Sequence, residues 1–193
     1  MSDHIRNSQL GEARNPTRLQ LLGNPLDLIH EDHLYEREIC ATLDHLAETA
    51  QPNPGEVLLA RAYLREELPL HLEDEEQDLF PLLLRRCEPD DEIGKIIERL
   101  TAEHARTRAD APGVIEALST LDRVGARIAP PLSERLTGFA AHARRHLILE
   151  NALVLPFARL RLKPADLEQI RLRMIRRRGL DRVMDPGHDA PSS

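Results

Sequence analysis

Four histidines and two glutamates carry the chemistry legible in this chain. His71 and Glu75 stand four residues apart in H-L-E-D-E, and His146 and Glu150 repeat the pair in H-L-I-L-E; the two runs close on Pro81 and Pro156 in the same register. A shorter echo, I-H-E-D-H-L-Y-E-R at 29–37 and L-T-A-E-H-A-R-T-R at 100–108, aligns His33 with His104. Imidazole and carboxylate are donors to first-row transition metals, and two matching sets suggest a pair of ions.

That chemistry dictates the elements. On an α-helix, residues i and i+4 share a face about 6 Å apart, so each His-x-x-x-Glu can reach one volume. On a strand they would lie about 13 Å apart and could not share an ion. The chain therefore reads as two copies of one unit, a helix with one inward His followed by a helix with His-x-x-x-Glu.

Turn residues divide the chain accordingly. Asn24 caps a first helix that opens on Pro25 and runs to about residue 50, with Leu26, Ile29, His33, Leu43 and Leu46 inward. A second spans about 55–87, bent at Pro69 and Pro81. A third covers about 91–123, with Asp90 as its cap and a kink or split expected at Pro112-Gly113. A fourth runs from Pro130-Pro131 to about 162 with a late kink at Pro156, and a shorter fifth follows Lys163-Pro164. The expected fold is all-α: an up-down-up-down four-helix bundle over 25–162 with an additional short C-terminal helix at 163–180. An irregular arm at 1–24 and a disordered tail at 181–193 flank it.

Composition agrees. With 193 residues, 41% of them hydrophobic, one substantial core can form; with no Trp, 2 Tyr and 3 Phe, aliphatic residues must build it, which suits packed helices better than a sheet. A net charge of -7 argues against a nucleic-acid surface. The basic run at 171–178 reads as a helix end whose cations complement the macrodipole. Cys40 and Cys87 are too few and scattered for a disulfide framework, no apolar run approaches a membrane span, and the first residues are polar; a cytoplasmic protein is expected. Gly-rich phosphate loops, Gly-x-Ser-x-Gly and Cys-x-x-Cys are absent.

Collected in a bundle core, His33, His71, Glu75, His104, His146 and Glu150 give two His per metal, with Glu75 and Glu150 placed to bridge. A solvent-derived oxo or hydroxo bridge would leave each ion about five-coordinate, with a position open to a small ligand. These donors suit two non-haem iron ions, manganese less so. Structural zinc would be tetrahedral and usually Cys-bound.

The series His33, His71-x-x-x-Glu75, His104, His146-x-x-x-Glu150, with the helix endings Leu79-Phe80-Pro81 and Val154-Leu155-Pro156, resembles the hemerythrin-like (HHE) cation-binding family over roughly residues 25–160. The resemblance implies a four-helix bundle with a di-iron centre that meets O2, NO or peroxide. Oxygen-carrying hemerythrins have a fifth His on the third helix, where this chain has Arg108, and a last Asp one residue beyond the position of Glu150. The pattern is closer to the four-His, two-Glu variant of iron-centre repair and iron-sensing proteins.

The resulting expectation is a di-iron protein that binds or reacts with O2, NO or peroxide in stress defence. The alternatives are an iron- or oxygen-sensing module and an iron donor for damaged centres. A peroxidase or NO reductase would be an enzyme proper, but no substrate-pocket residues argue for one. His30 and His142, one turn from His33 and His146, read as supporting groups beside the ligands or at the entrance, or as an extra ligand. Glu73, Asp74, Glu76 and Asp78 read mostly as a solvated face, with one of them free to bond a ligand imidazole. Tyr35 and Tyr63 read as core residues that could touch a bound oxygen ligand, and His4, His45 and His188 as surface residues.

Overall fold

In the computed structural model, residues 23–122 and 128–180 are described; the expected arm before residue 23 and the tail from residue 181 lie outside them. The first helix, α1 (Pro25–Glu48), starts where the Asn24 side chain accepts the Leu26 N–H at 3.1 Å. Asn53 does the same for Gly55 at 2.8 Å and opens α2 (Pro54–Ala62). In both helices proline occupies the first turn, where its missing N–H costs nothing.

The expected second helix is one rod in three α segments, α2, α3 (Leu68–Asp74) and α4 (Phe80–Arg86), joined by five-residue π turns at Tyr63–Glu67 and Glu75–Leu79. After a 3₁₀ turn at Pro89–Asp91, α5 (Ile93–Ser119) forms the third rod. The fourth consists of α6 (Pro130–Leu149), a π turn at Glu150–Val154 and α7 (Leu155–Arg161); α8 (Pro164–Arg177) follows. The chain is the expected all-α bundle with an extra C-terminal helix, and no described helix is long and apolar enough to cross a membrane.

Three local readings change. Asp90 does not cap the third helix; the side chain of Asp91 instead accepts the Glu88 N–H at 2.8 Å, and α5 begins after Glu92 in a left-handed conformation. Pro112-Gly113 does not split α5, which runs through both residues. The expected bends at Pro69, Pro81 and Pro156 take the form of π turns, each beginning six residues before its proline. A proline ring clashes with the carbonyl four residues back, and here that carbonyl lies inside the widened turn.

Two apolar clusters fill the bundle and leave a polar belt between them. One is built from Ile39, Leu43, Leu46, Leu64, Leu68, Val114, Leu118 and Leu136, among others. The other gathers Leu26, Ile29, Leu79, Phe80, Leu83, Leu100, Val154 and Leu155 with Ile170 and Met174 of α8. Burial of these side chains supplies the main favourable term for folding. The belt is where four of the nine histidines and the inward glutamates must be accommodated, so whatever compensates their charge decides the stability of the middle of the bundle.

Candidate metal centre

All six residues singled out by the repeat meet in that belt. His33, His104, His146, Glu75 and Glu150 are fully buried and His71 nearly so. His33 Nε2 lies 3.3 Å from Glu75 Oε1 and 3.5 Å from Glu150 Oε2. His71 Nε2 is 3.5 Å from Glu75 Oε2, and His146 Nε2 is 3.6 Å from Glu150 Oε2. His104 Nε2 approaches both carboxylates, at 3.2 Å from Glu150 and 3.5 Å from Glu75. The imidazoles pair as the echo suggests: His33 with His71 at 5.1 Å between ring centroids, and His104 with His146 at 5.4 Å.

Two sets of donor atoms are close enough to hold an ion each. One is His33, His71, Glu75 and Glu150; the other is His104, His146 and Glu150. Glu150 belongs to both. The fit to a cation shows in the atoms left over: His71 Nε2, His146 Nε2, Glu75 Oε2 and Glu150 Oε2 are buried without a hydrogen-bond partner. Orphaned polar atoms converging in a core are costly, and a shared metal would satisfy them together.

The metal-free electrostatics are those of protons standing where cations belong. Burial works against a charged His33, yet the hydrogen bond to Glu75 and the charge of Glu150 outweigh it and push its pKa up to about 9. His104 is likewise opposed by burial but raised to about 10 by its bonds to Glu150 and Glu76. His71 and His146 go the other way, to about 3, chiefly because burial disfavours their charged forms. Burial and then the charge of Glu75 push Glu150 up, whereas His71 and the hydrogen bond from His33 overcome burial and hold Glu75 low.

Metal ligation requires neutral imidazole and ionised carboxylate. At pH 7 the protons shared among His33, His104 and Glu150 must therefore leave, and metal uptake should release protons. Because these groups titrate above neutrality, apparent affinity should rise as pH increases from 7 toward about 9. An indicator dye in weakly buffered solution checks the release, and metal titrations across that range check the slope. Proton-free uptake would contradict the ligand set.

The groups behind the ligands are unequal. His104 Nδ1 contacts Glu76 Oε1 at 3.0 Å, and Arg108 grips both oxygens of Glu76 at 2.8 Å. Arg108, at the position of the fifth His in oxygen carriers, thus acts on His104 through a carboxylate. His33 Nδ1 lies 3.2 Å from Asn151 Oδ1, which also faces His30 Nδ1 at 3.3 Å, while the Asn151 amide donates to the Leu147 carbonyl at 2.7 Å. The nearest charged partner of His71 Nδ1 among the described residues is the more distant Asp32, at 3.9 Å. Such contacts fix a ligand ring's tautomer and direction.

Of the two extra histidines, His30 faces Asn151, the same side chain that contacts His33. The ring of His142 is 6.2 Å from that of His146, and its Nε2 faces the backbone carbonyl of Glu103 at 3.2 Å. Neither joins a donor set. His45 is exposed as expected; His4 and His188 lie outside the described residues.

The reading of residues 73–78 as mostly solvated fails for Asp74 and Asp78, which are buried. Both are covered by α8 and the residue that follows it: Arg177 pairs with Asp74 and Asp78, Arg178 with Asp74 at 2.6 Å, and Arg173 with Asp78 at 2.8 Å. The basic run therefore does more than complement a helix end. It neutralises two carboxylates beside His71 and Glu75.

Two residues escaped the sequence reading. One is Asn151, next to Glu150. The other is Glu36, only 1% exposed, whose Oε2 accepts the Tyr63 hydroxyl at 2.7 Å and whose Oε1 lies 3.9 Å from His146 Nε2. Burial raises its pKa despite the Tyr63 hydrogen bond.

No curated protein matches the chain. The profile of the hemerythrin HHE cation binding domain matches residues 24–158, which contain every member of both donor sets, and the chain belongs to that family.

Proposed function

We propose that the protein is a non-haem di-iron protein that binds or reacts with O2, NO or peroxide in the response to oxidative or nitrosative stress. The observation that carries this reading is the pair of His/Glu donor sets sharing Glu150 inside a bundle of this family. His33, His71 and Glu75 would hold one ion and His104 and His146 the other, with Glu150 common to both. Bound there, iron supplies redox chemistry and an open coordination position for a small ligand.

The chain's own residues explain how the centre would be held. Apolar clusters at both ends restrict bulk water, so charges in the belt interact more strongly than at the surface. Asn151 aims His33, and the Arg108–Glu76 pair aims His104. The expected result is an absorption change when the reduced, iron-loaded protein is mixed with O2, NO or peroxide in a stopped-flow instrument. No change with any of the three would sink the proposal.

A sensing role has one observation in its favour. Arg177 of α8 grips Asp74, which lies between His71 and Glu75 in sequence, so a change at the ligands has a short route to that helix. Circular dichroism with and without chelator separates the two readings: an equally ordered and equally stable metal-free fold would count against sensing by metal-linked folding.

A further inference from the structure

The two donor sets are unequal. The His33 and His71 set has four members, while the His104 and His146 set has three. Beside the poorer set lies Glu36, with its Oε1 buried, without a hydrogen-bond partner and directed toward His146 Nε2 at 3.9 Å. Its other oxygen is already held by the Tyr63 hydroxyl. We propose that Glu36 is a metal ligand, contributing a third carboxylate through Oε1 to the ion held by His104 and His146 and making the two metal positions chemically different. This rests on the two-metal reading above and extends it.

Charge supports the assignment. With four neutral imidazoles, two divalent ions and the carboxylates of Glu75 and Glu150, the buried belt would keep two positive charges; Glu36 removes one of them. Net charge in a core is costly, and the side chain hydrogen-bonded to Glu36 among the described residues is the neutral Tyr63 hydroxyl. Tyr63 can donate to one oxygen and leave the other free for a cation, an arrangement that orients the carboxylate without consuming it.

The backbone singles out the same pair. The three π turns begin at Glu75, Glu150 and Tyr63. Two of those residues are members of the donor sets, and the third holds Glu36. Pro112 provides the contrast, since the residue six before it, Arg106, is exposed, and α5 remains an α-helix there. Proline alone therefore does not account for these turns. They coincide with side chains that serve the centre, a frequent association for π turns.

The two-fold echo has a matching asymmetry. Glu36 follows His33 by three residues, and Thr107 follows His104 by three. Both are buried, but one half offers a carboxylate where the other offers a hydroxyl. The inequality of the two positions is thus written into the sequence of the two halves.

Glu36→Gln is the direct test, because it keeps the shape of the side chain and an acceptor for Tyr63. Iron(II) titration should show two equivalents in the wild type. In Glu36→Gln, one should bind about tenfold more weakly or worse while the other changes little, with an unchanged metal-free helical spectrum. Mössbauer spectra of ⁵⁷Fe-loaded protein should give two distinct signals of equal area in the wild type, with one altered in the variant. Glu36→Asp, which keeps the charge but shortens the reach, should behave like Glu36→Gln. Wild-type affinity and spectrum in Glu36→Gln would overturn the assignment while leaving the two-metal reading intact. Full recovery in Glu36→Asp would show that charge alone matters and would likewise overturn it. A wild type that binds fewer than two irons would remove the proposal together with its foundation.

Discussion

Glu150→Gln should empty both metal positions at once, since Glu150 is the one side chain common to the two donor sets. Losing a peripheral ligand would weaken one ion. Losing a shared one removes a donor from each and the negative charge that lets two cations lie close together. The expected metal content falls from about two ions per chain to well below one. Without metal the substitution should be nearly silent, because burial and the charge of Glu75 push the Glu150 carboxyl toward its neutral form, which glutamine resembles. The combination is diagnostic. A ligand present at a thousandfold excess over its dissociation constant stabilises a fold by about 4 kcal/mol, on the order of 10 °C in melting temperature for a chain of this size. Metal should produce such a shift in the wild type and none in Glu150→Gln. Metal content read by elemental analysis and melting followed with and without chelator check both halves.

The second large effect lies outside the ligands. Arg177→Ala with Arg178→Ala should destabilise the protein by about 3–5 kcal/mol, because it leaves Asp74 and Asp78 buried without their main cations. Surface ion pairs rarely matter that much, but Asp74 is fully buried and Asp78 only 2% exposed. Arg173 remains near Asp78, so Asp74 should bear most of the loss. Adding Asp74→Asn to the double variant should recover part of the stability by removing the unpaired charge, a rescue that loss of α8 packing alone would not show. Chemical denaturation of the three proteins provides the measurement.

Much of the centre was legible because metal ligands break the helical stripe in a repeated way. A His and a Glu one turn apart, found twice with a common proline ending, mark a buried polar surface that ordinary packing would not repeat. Glu36 was hidden for a local reason: it stands among Glu31, Asp32, Arg37 and Glu38, where one more charge attracts no notice. Its register was the available signal, since Ile29, His33, Glu36, Cys40 and Leu43 recur at helical spacing and all are buried. Asp74 and Asp78 carried a similar signal within the stripe of α3 and the following turn. Their partners lie about a hundred residues away, and only the docking of α8 brings them together. The prolines announced irregular helices, but a bend and a π turn both relieve the same clash, so sequence could not choose between them.

The pairing of Glu75 and Glu150 with prolines six residues onward also makes each turn a latch. A five-residue π turn in an ordinary helix can relax by passing its extra residue along the rod until it frays at an end. Here the proline ring bars that passage on the C-terminal side, because the tighter turn would drive it into a carbonyl. The extra residue is trapped beside the ligand, and the side chains beyond it are rotated out of phase with those before it. A one-residue deletion within the turn would therefore remove that extra residue and let the rod close as a regular α-helix, keeping Leu83 in the apolar cluster it fills but losing the widened backbone beside Glu75.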